Sequence, residues 1–205
     1  MYMKKTILSL SIITLAVVSV NAQVKFGLKA GLNLASYTGK DASLLGPGKE
    51  GKLDFNGGGL VNIDLSKGFS LQPEVFFSGQ GTRLDVGNLT GGGEFDVDYV
   101  NVPLLLKYNL TKGFAVEAGP QVGFLISAIG KSYITGQSAI NEKSYFNTMD
   151  YSIAFGISYL TATNLGFDAR YNWGLSKDLL NGPSNPYKLF GSVFQLGAYY
   201  MFGKQ

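Results

Sequence analysis

Ten residues constrain this chain most: Tyr99 to Tyr108, YVNVPLLLKY. Even positions carry Val100, Val102, Leu104, Leu106 and Tyr108; odd ones carry Asn101, Pro103, Leu105 and Lys107. Successive side chains of a strand point to opposite faces, so a period of two predicts a strand with one apolar side. Seven other segments share the pattern. Val24 to Tyr37 sets Phe26, Leu28, Leu32 and Leu34 against Lys25, Gly27, Lys29, Gly31 and Asn33. Leu53 to Leu65 and Phe69 to about Gln80 follow, with Leu60 and Phe76 as apolar interruptions of their polar faces. The decapeptide strand begins near Glu94. Gly113 to about Ile126, Asp150 to Leu160, Leu165 to about Leu175 and Leu189 to about Phe202 complete the set.

The expectation is an all-β fold of eight antiparallel strands in up-and-down order. The connections alternate in length. Thr38–Lys52, Gly81–Gly93, Ser127–Thr148 and Ser176–Lys188 are long. Ser66–Gly68, Asn109–Lys112 and Thr161–Asn164 are tight turns. Pro73 and Pro103 interrupt predicted strands, and a residue without an N–H marks a bulge or a weak spot in the ladder.

A soluble eight-stranded barrel also alternates, with its apolar face inward. Three features favour the inverted arrangement. The apolar face is too large for the interior of eight strands, which a few layers of side chains fill. The opposite face holds Gly, Ser, Asn and isolated charges, and the 28 glycines suit a crowded centre. Aromatic residues at Tyr99/Tyr108 and Tyr151/Tyr159 resemble the girdles of a membrane barrel. Lipid satisfies no backbone polar group, so such a sheet closes. Short turns and both chain ends are expected on the periplasmic side.

Met1–Ala22 reads as a signal peptide, with Lys4 and Lys5 before an apolar run and small residues before Gln23. Residues 23–205 are then one exported barrel domain, expected in the bacterial outer membrane. The chain has no cysteine and no histidine, which excludes disulfides, thiol chemistry and a Ser-His hydrolase. Lys and Arg are scattered, so nothing points to nucleic acid. The pairs Asp41/Ser43 and Glu142/Ser144 read as loop solvation. No enzyme activity and no cofactor or metal is expected.

Lys25, Lys29, Glu74, Lys107, Glu117, Asp168 and Arg170 are predicted to point inward. Buried charge is tolerated when paired or hydrated, so the reading is a packed polar core. A narrow, porin-like path for small solutes or ions is the alternative. Leu44, Leu45, Tyr133, Tyr145 and Phe146 are the candidate loop contacts for an envelope protein or an extracellular ligand. A second alternative is a component of a larger envelope or secretion assembly, touching partners through Lys67, Lys112 and Asn164. Otherwise outer-membrane lipid surrounds a monomeric barrel.

The signal-peptide-like Met1–Ala22, the K-F-G-L-K-A-G-L-N opening at residues 25–33 and the fourth-strand VNVPLLLKY resemble the PorT-like outer-membrane β-barrel family of Bacteroidetes. The resemblance spans about Val24 to Phe202. It implies an OmpA- or OmpX-like eight-stranded barrel and brings no catalytic residues.

Overall fold

The structure, a computed structural model, describes residues 23–40, 49–66, 68–84, 92–133, 138–176 and 189–203. Among these, nine strands form one antiparallel sheet: β1 (Val24–Thr38), β2 (Lys49–Ser66), β3 (Phe69–Leu84), β4 (Gly93–Asn109), β5 (Phe114–Ser132), β6 (Ile140–Asn141), β7 (Met149–Leu160), β8 (Leu165–Gly174) and β9 (Phe190–Phe202). β6 is a two-residue strand on the free edge of β5, pairing Ile129 with Asn141 and Gly130 with Ile140. The other eight run in sequence order around a ring. β1 pairs with β9 and β4 with β5, so the sheet closes into an eight-stranded barrel.

Alternation explains which way each side chain faces. Phe26, Leu28, Leu32 and Leu34 of β1 are exposed outward, as are Ile153, Phe155 and Ile157 of β7 and Phe167 and Trp173 of β8. Their neighbours Lys29, Asn33, Ala154, Asp168 and Arg170 are buried inside. Water-exposed barrels do the opposite. This surface is stable only against hydrocarbon, where strands of roughly 9–11 residues span the core. Tyr108, Tyr151 and Tyr159 lie on that outer face, but Tyr99 is 4 % exposed and points inward. The girdle expected at Tyr99 is therefore corrected: odd-numbered Tyr99 shares the inner face with Asn101.

The strands run longer at the loop end than their alternation shows. β2 begins four residues before Leu53, β3 passes Gln80, and β5 continues beyond Ile126. Ile126 sits at a bulge: Tyr99 pairs with Leu125 but Asp98 with Ser127. One extra residue inverts the in/out parity, so Ala128 is the next inward side chain and the strand no longer reads as one pattern. The prolines behave differently from a bulge. On either side of Pro73 and Pro103 the register stays in step, while the pairs between Pro73↔Leu104 and Phe76↔Asn101 are missing. The ladder is interrupted there without being shifted.

The tight turns sit together at the opposite end, beside Gln23 and Gly203. Asn109 donates its N–H to Gly68 O at 2.8 Å, and Leu160 donates to Gly113 O at 2.8 Å. Gly113 has φ of 96°, and its absent Cβ would stand 2.4 Å from Leu160 O. Only glycine takes both conditions without strain.

Candidate functional site

The interior is a stack of layers, and β1 samples all of them. Its inward residues Lys25, Lys29, Asn33 and Tyr37 are each four apart, roughly 13 Å of extended strand per step before tilt is counted.

At the turn end Lys25 lines an open cup and stands 3.9 Å from Asp64. Above it lies a closed ion-pair layer. Arg170 from β8 is its centre. Its Nη1 and Nη2 donate to the two Glu74 oxygens at 3.0 Å each. Nε and Nη2 donate to Glu117 Oε1 at 2.9 and 2.7 Å. The planar guanidinium suits this two-carboxylate clamp, since its donors have a fixed fork geometry. Lys29 donates to Glu74 Oε2 at 3.2 Å and stands 3.7 Å from Asp168. Lys107 stands 3.3 Å from Glu117 and donates to Gln72 Oε1 at 3.1 Å. Three cations thus meet three carboxylates, drawn from β1, β3, β4, β5 and β8. Phe76 and Tyr199 rings lie beneath the Lys29 and Lys107 ammonium groups at 5.0 and 5.5 Å. Of the seven inward charges expected from sequence, six meet in this layer. Lys25 stands apart at the mouth.

The third layer is built of carboxamides. Asn33 Nδ2 donates to Ser78 Oγ at 2.9 Å and Gly79 O at 2.8 Å. Its Oδ1 accepts from Asn56 at 2.7 Å and from Gln195 at 2.9 Å. At the loop end an apolar cluster of Tyr37, Val97, Tyr99, Leu125, Ala128 and Phe146 covers the barrel. Phe146 is 2 % exposed. Its expected role as a protruding loop contact is corrected: the preceding 3-10 turn, Lys143–Tyr145, carries it back over the mouth. Glu142 N–H to Ala128 O at 2.9 Å and Lys143 Nζ to Ile126 O at 2.8 Å hold that turn. Tyr133 and Tyr145 remain more than half exposed, with Ile140 beside them in the same loop. Leu44, Leu45, Asp41, Ser43 and Lys67 lie outside the described residues. The carboxamide layer and the aromatic cap were missed in sequence. Leu60 and Phe76, noted there as interruptions of polar faces, belong elsewhere: Leu60 packs with Tyr199 and Met201 at the turn end, and the Phe76 ring lies by Lys29 in the ion-pair layer.

A second ion cluster lies at the loop-end rim. Lys52 stands 2.5 Å from both Asp54 and Asp96, and Lys131 pairs with Asp96. On β4 the outer apolar run covers Val100 to Tyr108, so Asp96 is beyond it. Burial alone would raise the Asp96 carboxyl; hydrogen bonds from Lys131 and Lys52 instead hold it down at about 2.

Among the described residues no group of three or more Asp or Glu side chains could hold a metal ion. The outer membrane protein beta-barrel domain model matches residues 10–179. The chain belongs to this family. Several solved structures are similar to this chain at low identity. Neisserial surface protein A shares 12 % identity with a TM-score of 0.55, covering 88 % of this chain and 99 % of its own. The attachment invasion locus protein Ail of Yersinia pestis, solved with the heparin analogue sucrose octasulfate, shares 15 % at 0.48. It covers 88 % of this chain and 99 % of its own. OprG of Pseudomonas aeruginosa shares 15 % at 0.45, covering 88 % and 97 %. No curated protein matches the sequence. The family shown is that of outer-membrane β-barrel domains; the narrower PorT-like likeness rests on the N-terminal segment and the two sequence phrases alone.

Proposed function

We propose that this protein is a non-enzymatic outer-membrane barrel with a plugged interior, which works through the surface of its loop end. The observation that carries it is the stack above the cup: a charge-balanced ion-pair layer, a carboxamide layer and an apolar cap. Three successive closures block passage from the cup to the loop end, and on the loop surface Tyr133, Ile140 and Tyr145 stand out. Exposed aromatic residues suit contact with a protein or glycan partner. The reading includes a cleaved signal peptide over Met1–Ala22, turns and chain ends in the periplasm, loops outside, and a monomeric barrel in lipid. Membership of the PorT-like group belongs to the same proposal.

The test has two arms. Replacing residues 133–145 by a short Gly/Ser linker leaves a heat-modifiable barrel and removes co-purifying partners; unchanged partners contradict the loop reading. In planar bilayers the intact protein gives no conductance steps, and steps that scale with salt would favour the narrow channel instead. An envelope-assembly role through the turns, at Lys112 and Asn164, predicts crosslinks from those positions rather than from Tyr145.

A further inference from the structure

The cup at the turn end has a volume of about 770 Å³. Its walls are sorted by chemistry. β1 to β4, which are adjacent in the ring, supply Lys25, Asn62, Ser70, Gln72 and Lys107. The other half, β5 to β9 with the preceding turn, supplies Leu110, Ala115, Leu160, Tyr199 and Met201. Thr111 and Lys112 of the turn and Ser158 of β7 are the polar residues on that side. Leu60, Tyr199 and Met201 pack as one apolar cluster, with Leu160 against them. Tyr199 lies flat there because β8 has Gly166 beneath it: a Cβ at Gly166 would stand 2.1 Å from the ring.

Charge in the cup is one-sided. Among the described residues, Lys25, Lys107 and Lys112 line it with one carboxylate, Asp64. Lys107 is engaged by Glu117 behind the floor, and Lys25 reaches Asp64 only at 3.9 Å. Lys112 has no ion-pair partner among the described residues. The ion-pair layer closes the far side, so a ligand enters and leaves by the mouth.

We propose that this cup binds a small amphipathic carboxylate, its acyl part against Leu160, Tyr199 and Met201 and its anionic end toward Lys25 and Lys112. A cavity of this size with one apolar wall and a few convergent polar groups is the form ligand sites take. The segregation, rather than the positive charge, selects the class. A bare anion would leave the apolar arc wet, and a neutral alcohol would bring no charge to Lys112 or to the loosely paired Lys25. In the orientation proposed above the mouth faces the periplasm; binding itself does not depend on that.

The methionines make the test direct. Met201 lines the cup and Met149 sits at the loop end. The full-length protein, labelled at methionine methyl groups and held in nanodiscs, is titrated with octanoate, octanol or inorganic phosphate. Octanoate is expected to shift the Met201 methyl signal saturably and leave Met149 in place, while the other two leave Met201 unmoved. Lys25→Glu with Lys112→Glu weakens octanoate by about tenfold or more. If that variant loses its heat-modifiable band, Lys25→Gln with Lys112→Gln is used, with weakening in the same direction. An unmoved Met201, an equal shift with octanol or phosphate, or unchanged affinity in the folded variant overturns the proposal.

Discussion

Arg170 shows what one side chain can decide. It touches Glu74 and Glu117 through all three guanidinium nitrogens, and it is 1 % exposed. Arg170→Met leaves two buried carboxylates without their central cation, a loss of about 3–5 kcal/mol for a broken buried pair. Urea unfolding from lipid vesicles should show that loss. Arg170→Lys, which keeps charge but not the fork, should fall between wild type and Met; equal stability of all three would contradict the clamp. Asp96 gives a pH test of opposite visibility, at the surface. Its folded carboxyl sits near 2, below the ordinary 3.8. The stabilisation it adds is therefore complete above about 4 and is lost as pH falls through about 2. A carboxyl NMR titration of Asp96 should have its midpoint near 2, and a midpoint near 4 would show that Lys52 and Lys131 do not hold it.

At the scale of elements, the loop after β5 is tied to the barrel by Phe146 and by short hydrogen bonds, among them Leu125 N–H to Thr148 O at 2.9 Å. Phe146→Ala removes a buried ring, which costs about 3 kcal/mol where neighbours cannot collapse. Hydrogen exchange should then quicken at Glu142 and Leu125 while amides of β7 and β8 keep their protection; uniform protection would mean the ring is not the tether. Strand existence and facing were legible in sequence because the period of two is local. Lys29 and Asp168 could be placed inside from parity alone. What parity cannot carry is a bulge. At Ile126 one unpaired residue flipped the faces, so the end of β5 read as loop and Phe146 as a free aromatic. Which inward charges meet was also illegible: Glu74 and Arg170 are 96 residues apart and are brought together by closure of the ring.

For the whole molecule, the decisive property is that the barrel is inside out relative to a soluble one. Each of its eight strands turns an apolar face outward, and the charges of its central layer are enclosed and balanced. Single-cysteine variants along β7, labelled with a fluorophore and challenged with a brominated lipid quencher, test this most directly. Labels at Ile153, Phe155 and Ile157 are predicted to be quenched, and labels at Ser152, Ala154 and Ser158 to be spared. Quenching at the even positions with protection at the odd ones would contradict the account.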